Sequence, residues 1–280
     1  MTLTVEKDIL ESIEWEERPI VTTDDTVFPK VSLSVVVPAY NCRDRINKTI
    51  RHLQDTLTNI CSDYELIVVD DGSYDNTAEE VMRAAKKDPK IKVISYAPNK
   101  GKGYAVKQGV LISRGKNVVF IDGDSEVKPS VIADYIKVLN EADVVVASKY
   151  HPDSNVRAPL LRRFLSKGFH LLVRLTLRIQ IKDTQAGLKA GRSDAFKQIF
   201  TKVLVKKYAF DAEMLTVSSL LGHRIVEMPI DIDLNSHFKL KEIARMFIDL
   251  AGIAYRLRVV KWYQRNLEKE RPHYRPIIPI

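Results

Sequence analysis

Cysteine is nearly missing from this chain of 280 residues. Only Cys42 and Cys61 occur, too few for a disulfide framework and in keeping with a reducing compartment. Also missing is any run of about 20 apolar residues, the length that a bilayer-spanning helix requires. Arginines interrupt Leu160 to Ile181, and Met246 to Tyr255 is short and contains Asp249. The first thirty residues are acidic, not a basic start followed by an apolar run, so no signal peptide is expected. Gly101-Lys102-Gly103 fits neither GxxxxGK[ST] nor GxGxxG, which leaves ATP and dinucleotide binding with little support. His151, His223 and His237 are scattered without metal-ligand spacing and read as structural or surface residues. No RNA- or DNA-binding motif accompanies the net charge of +8, so no nucleic-acid partner is expected.

What is present is an alternation of strand-like and helix-like segments. With 45% apolar residues the chain can bury one good core, a single domain with appendages. Val31 to Val37 reads as a strand buried on both faces, ending in Pro38-Ala39-Tyr40-Asn41 because proline cannot continue a central strand. An amphipathic helix over Arg43 to Ile60 follows. A second strand, Glu65 to Asp70, ends in Asp71-Gly72-Ser73, and Asp75 or Asn76 can cap the next helix. A third strand, Ile91 to Tyr96, leads through Pro98 to Gly103 into a helix reaching about Ser113. The fourth strand is Asn117 to Ile121 and the fifth Asp143 to Ala147. This order predicts an α/β fold with a parallel, doubly wound sheet. Ligands of such sheets sit beyond the carboxyl ends of the strands, where Tyr40, Asp71, Lys102, Asp122 and Asp124 all fall.

Asp122-Gly123-Asp124 is the most informative of these strand ends. Two carboxylates one residue apart suit Mg²⁺ or Mn²⁺, which prefer oxygen ligands and keep positions open for phosphate. Taken singly the pattern is also an ordinary turn, as is Asp71-Gly72-Ser73, and Tyr40 can simply cap the core. Their coincidence at strand ends favours a shared site.

Val37-Pro38-Ala39-Tyr40-Asn41, Val69-Asp70-Asp71-Gly72-Ser73, Asn99-Lys100-Gly101-Lys102-Gly103 and Asp122-Gly123-Asp124 resemble, in order, the signature blocks of family 2 glycosyltransferases with the GT-A fold. That is a nucleotide-diphospho-sugar transferase fold, a Rossmann-like, mostly parallel sheet flanked by helices. Asp183-Thr184-Gln185-Ala186-Gly187-Leu188-Lys189 and Phe210-Asp211-Ala212-Glu213 narrow the resemblance to the dolichyl-phosphate β-glucosyltransferase branch, cousin to the dolichyl-phosphate mannose synthases. It covers Val31 to Lys239. The resemblance implies that Pro38, Ala39, Tyr40, Asn41, Asp71, Gly72, Lys102, Asp122 and Gly123 hold the nucleotide-sugar donor. It implies Asp122 and Asp124 as metal ligands, with Glu126 a weaker candidate. Lys149, Arg162, Arg163, Ser166 and Lys239 fall where relatives contact acceptor phosphate, Arg162 and Arg163 competing for one role. Gln185 belongs to the sugar pocket, and Asp183 either orients an acceptor-binding arginine or acts as a weak base. Asp122, Asp124, Asp183 and Arg162 form the implied catalytic set. Cys42 departs from relatives that carry glutamate there. Asp211 and Glu213 also read as simple N-terminal charges of a helix.

The implied acceptor, a polyprenyl (dolichyl) phosphate, is already an anion and needs cations more than a base. From Ser154 to Lys182 there is no acid, but Arg157, Arg162, Arg163, Lys167, Arg174, Arg178 and Lys182 occur. Leu161, Phe164, Leu165, Phe169, Leu172, Leu175 and Ile179 recur between them at helical spacing, the pattern of amphipathic interface helices at a membrane surface. Leu240 to Leu267 is similar, with Tyr255, Trp262 and Tyr263 suited to a headgroup belt. The competing reading packs these helices on one another or on a second subunit, a homo-oligomer. The expected division is an extension at 1–30, a catalytic domain at 31–239 that includes the basic helices at 157–182, and a helix and tail at 240–280. The expected protein is an inverting glycosyltransferase, peripheral on the cytoplasmic side of a membrane, moving glucose from UDP-glucose. GDP-mannose as donor and a polar glycan as acceptor are the alternatives. The Gln-x-x-Arg-Trp block of polysaccharide synthases is missing, and a catalytically dead scaffold would not need intact Asp122 and Asp124.

Overall fold

The computed structural model describes residues 20–21, 31–123, 127–157, 159–233 and 240–270. In chain order the strands and helices begin with β1 (Ile20–Val21), β2 (Leu33–Ala39), α1 (Arg43–Ile60), β3 (Tyr64–Asp70), α2 (Thr77–Ala85), β4 (Ile91–Ser95), α3 (Lys102–Ile112) and β5 (Asn117–Ile121). They continue with α4 (Ile132–Val138), β6 (Val144–Ala147), β7 (Asn155–Arg157), α5 (Leu160–Leu177), β8 (Leu188–Arg192), α6 (Ser193–Lys202) and α7 (Phe210–Leu220). The last are β9 (Ile225–Met228), β10 (Asp231–Asp233), α8 (Leu240–Arg258) and α9 (Trp262–Glu270).

Eight strands form one sheet in the order β1-β4-β3-β2-β5-β8-β6-β9, and β10 pairs with β7 apart from it. β2, β3, β4 and β5 are parallel, as are β6 and β9, whereas β1 and β8 run against their neighbours. The chain winds outward from β2 through β3 to β4, then returns to lay β5 on the other side of β2. That reversal opens a crevice beyond the ends of β2 and β5, the usual ligand position in such sheets.

One apolar layer packs α1 on the sheet through Ile46, Ile50, Leu53 and Leu57, spaced for a single helical face. The other layer gathers α3, α6, α7 and the carboxyl half of α5 around Phe120, Phe196, Phe200 and Phe210. Met246, Leu250 and Ile253 of α8 and Tyr263 of α9 belong to that same cluster.

Several expectations change in detail. β2 runs through Pro38 to Ala39, because pairing with β5 stops at Val36 and only β3 continues beside it. Asp75, not Asn76, serves the start of α2: its Oδ1 accepts from Thr77 N at 3.1 Å, while Asn76 has φ +62° and caps nothing with its side chain. Phe169 and Ile179 are buried while Leu172 and Leu175 are exposed, so the apolar stripe around α5 serves two surfaces. Its buried side meets α8, where Phe169 and Phe247 stack edge-to-face at 6.1 Å. Tyr263 is fully buried, and so does not belong to a headgroup belt. No helix among the described residues is long and apolar enough to cross a membrane.

Candidate active site

The crevice holds a cavity of about 500 Å³, lined by Pro38, Ala39, Tyr40, Cys42, Arg45, Asp71, Asn99, Gly101, Lys102, Asp122, Gly123, Lys207, Tyr208 and Arg245. Seven of the nine residues expected to bind nucleotide lie on its wall, and Asp71 and Lys102 also do more local work. The loops that shape it are laced together. Asn41 N donates to Ser73 Oγ at 2.9 Å, and Tyr74 N donates to Asn41 Oδ1 at 3.1 Å. Gly72 has φ +70°, and a Cβ there would stand 2.7 Å from Asn99 N, so no side chain fits. Asp71-Gly72-Ser73 is therefore a fitted junction and not an incidental turn. Tyr40 is half exposed beside Tyr74 and does not cap the core.

Asp71 is the junction's anchor. Its Oδ1 accepts from Tyr96 Oη at 2.9 Å and Lys100 N at 2.8 Å; its Oδ2 accepts from Asn99 Nδ2 at 2.8 Å and Gly101 N at 2.9 Å. Burial still pushes its carboxyl above the ordinary range, with these bonds opposing the shift and Asp70 adding to it. Much of its acceptor capacity thus fixes the Asn99–Gly101 loop.

Asp122 closes β5. Its N–H donates to Gly187 O at 3.0 Å, and a Cβ at Gly187 would lie 2.3 Å from Asp122 Oδ2. Lys102 Nζ stands 2.6 Å from Asp122 Oδ1 but off hydrogen-bond alignment, so that shielded oxygen carries an ion pair and no hydrogen bond. A shielded carboxylate oxygen of this kind fits the hard-oxygen preference of Mg²⁺ and Mn²⁺. Asp124 and Glu126 lie outside the described residues. Among those described, no group of three or more His, Cys, Asp or Glu is placed to hold a metal.

Four residues before Gly187, Asp183 is buried and accepts from Lys149 N at 2.8 Å, Lys149 Nζ at 3.2 Å and Gln185 N at 2.9 Å. Among the described residues the cation it orients is Lys149; the side chains of Arg162 and Arg163, the expected arginines, lie outside them. Glu227 Oε1 in turn accepts from Lys182 N and Asp183 N at 3.0 and 3.1 Å. Arg162, Arg163 and Ser166 belong to α5, where the side chains of 160–167 lie outside the described residues, as does Lys239 entirely.

Asp211 and Glu213 do more than favour a helix dipole. Lys189 Nζ pairs with Asp211 Oδ1 at 2.6 Å, both groups fully enclosed, and burial pushes the lysine down and the carboxyl up. Glu213 Oε2 accepts from Leu204 N at 2.8 Å and Val205 N at 2.6 Å; Oε1 accepts from Arg256 Nη2 at 3.0 Å and from Tyr263 Oη. The signal for them was in the sequence. Phe210-Asp-Ala-Glu-Met-Leu buries its apolar residues on all sides, and acids in such a helix need partners. Arg45, Tyr96, Lys207 and Arg245 were not anticipated, since no local pattern marks them, and Asn99 stood in a signature block without a role of its own.

The family model described as Glycosyl transferase family 2 matches residues 34–200. A dolichyl-phosphate beta-glucosyltransferase of Trichomonas vaginalis is 34% identical over 254 residues, covering 85% of this chain and 75% of that protein. The mouse protein of the same name is 32% identical over 72% of this chain and 68% of its own length. Among solved structures, glucosyl-3-phosphoglycerate synthase of Mycobacterium tuberculosis, in complex with Mn²⁺, UDP and its product, superposes with a TM-score of 0.61 at 18% identity, covering 80% and 79% of the two chains. Mannosyl-3-phosphoglycerate synthase of Rubrobacter xylanophilus gives 0.63 at 19% identity, covering 83% and 76%. These two likenesses establish the GT-A fold of the sheet.

Proposed function

The chain belongs to glycosyl transferase family 2, in its dolichyl-phosphate β-glucosyltransferase branch, and from that membership we propose that it moves glucose from UDP-glucose to the phosphate of a dolichyl lipid. The observation that carries the reading is the crevice itself. A cavity sized for a nucleotide reaches the Lys102–Asp122 pair, and Lys149, two residues past β6, is held by Asp183, four residues before Gly187.

Pro38, Ala39 and Tyr40 provide the wall for base and ribose, and Asp71 keeps the opposing loop in shape. Asp122, with Asp124 and Glu126, would hold a divalent cation, which when bound neutralises charge on the departing diphosphate. Lys102 already balances the Asp122 charge and faces the same cavity. Lys149, held at two points by Asp183, offers a fixed cation for the acceptor phosphate, joined by Arg162 or Arg163, Ser166 and Lys239. The acceptor oxygen needs no deprotonation, so a carboxylate engaged as fully as Asp183 is no obstacle. Attack from the face opposite the departing nucleotide inverts the anomeric centre to the β-product.

Exposed Leu171 and Leu175 on α5, Ile248 and Tyr255 on α8 and Val259 just after it, with the basic residues nearby, support a peripheral seat on a membrane surface. Each Lys or Arg near an anionic leaflet adds about 1 kcal/mol. Two free cysteines fit its cytoplasmic side.

The test is incubation of purified protein with Mg²⁺ or Mn²⁺, short dolichyl phosphate and each radiolabelled nucleotide sugar in turn. Label entering the organic phase from UDP-glucose, and lost in Asp124→Ala, is the expected result. Label from GDP-mannose instead would move the donor assignment. No label from any donor would overturn the reaction.

A further inference from the structure

Two cations on the cavity wall, Lys207 and Arg245, lie outside the residues matched by the family model. Lys207 comes from the loop between α6 and α7, and Arg245 from the second turn of α8. That loop is pressed onto the donor loop to a degree only glycine permits. A Cβ at Gly101 would meet Lys206 O at 2.6 Å and Lys207 Cγ at 2.9 Å, and one at Gly103 would meet Phe210 Cβ at 2.6 Å. Tyr104 N donates to Lys206 O at 3.0 Å, Lys107 Nζ donates to Val203 O at 2.9 Å, and Glu213 holds Leu204 N and Val205 N from behind. Glu213 also binds Arg256 and Tyr263, so the same buried carboxylate fixes the loop and docks α8 and α9.

This backbone is fastened on several sides, yet the Lys207 and Arg245 side chains are exposed and make no hydrogen bond or salt bridge to a described residue. The acid that both influence electrostatically is Asp249, four residues beyond Arg245, whose shielded Oδ2 has no hydrogen-bond partner. Arg45 lies on the same cavity wall. The acids there are occupied, Asp71 by its loop and Asp122 by Lys102. A firmly seated rim of cations that form no salt bridge among the described residues is arranged for a polyanion entering from solution.

We propose that Lys207 and Arg245 bind the diphosphate of the donor and retain it as the leaving group, making the carboxyl-terminal helix α8 an arm of the donor site. The assignment rests on the glycosyltransferase reading and adds to it a diphosphate clamp. The donor's phosphate is favoured over the acceptor's because the same cavity is walled by Pro38, Tyr40 and Asp71.

Calorimetric titration of the full chain with UDP and with UMP, in Mg²⁺ and again in EDTA, tests this on Lys207→Ala, Arg245→Ala and the double variant. Each single variant should bind UDP about tenfold more weakly, the double variant more weakly still, and UMP should change far less. Lys207→Arg should bind as wild type does. In transfer assays the donor KM should rise and the dolichyl-phosphate KM stay unchanged. Wild-type UDP affinity in the double variant would overturn the proposal, and so would a rise confined to the acceptor KM. Wild-type protein that binds UDP without transferring glucose would sink the reaction but not the clamp. Failure to bind any nucleoside diphosphate would sink both. Both side chains are exposed, so unchanged melting temperatures would separate lost binding from lost folding.

Discussion

The donor side of the crevice and the layer beneath it keep buried carboxylates in different ways. Asp71, on the donor side, is held largely by main-chain N–H groups of Lys100 and Gly101 with Asn99 and Tyr96 beside them. Beneath it, Asp211 relies on Lys189, a side chain from a separate strand, while Asp183 and Glu213 combine backbone N–H groups with the side chains of Lys149 and Arg256. A carboxylate held by backbone is tied to a loop shape and has no replaceable partner. A carboxylate held by a side chain belongs to a pair, and a pair can be exchanged as a unit.

That contrast breaks most visibly at Lys189. Lys189→Met should lower stability by about 3–5 kcal/mol, because it strands a charge at Asp211, and adding Asp211→Leu should recover most of the loss in denaturant melts. A double variant no more stable than the single one would refute the pairwise account. Next, Gly187→Ala pushes a methyl against Asp122 and should cut turnover on the order of a hundredfold with little change in melting temperature. Asp71→Asn replaces an acceptor with a donor facing two N–H groups and should cost about 2 kcal/mol. Unlike Lys189, it should find no rescue in a second side-chain change.

The smallest effect is read through pH. Burial pushes Lys107 down to about 8 from 10.5, so between those values the unfolded chain binds more protons than the folded one. Stability contributed at this site therefore rises with pH across that window. Its part of the slope, about 1–2 kcal/mol from pH 8 to 10, should vanish in Lys107→Met. An unchanged slope in the variant would remove Lys107 from the account.

The same contrast explains what could be read from sequence. Strands β2 to β6 and the helix at 43–60 were legible because burial on both faces and amphipathic spacing leave local patterns. The strand-end residues were legible for the same reason, since parallel topology sends them to one edge. β8 was not, for Leu188-Lys-Ala-Gly-Arg carries no strand pattern and its lysine is buried only because Asp211 meets it from another helix. Tyr263 looked like an interfacial aromatic until Glu213, fifty residues earlier, claimed its hydroxyl. Pairings of that kind arise from tertiary contact and leave no periodic trace.

One consequence concerns self-association, not catalysis. Ile20 and Val21 run antiparallel beside Ser95 and Ile94, covering part of the outer margin of β4. A bare margin there would offer unpaired N–H and C=O groups to the next molecule, the usual start of edge-to-edge aggregation. Proteins collected on a lipid surface meet each other far more often than in solution. By occupying those positions first, two residues guard the sheet against its own copies.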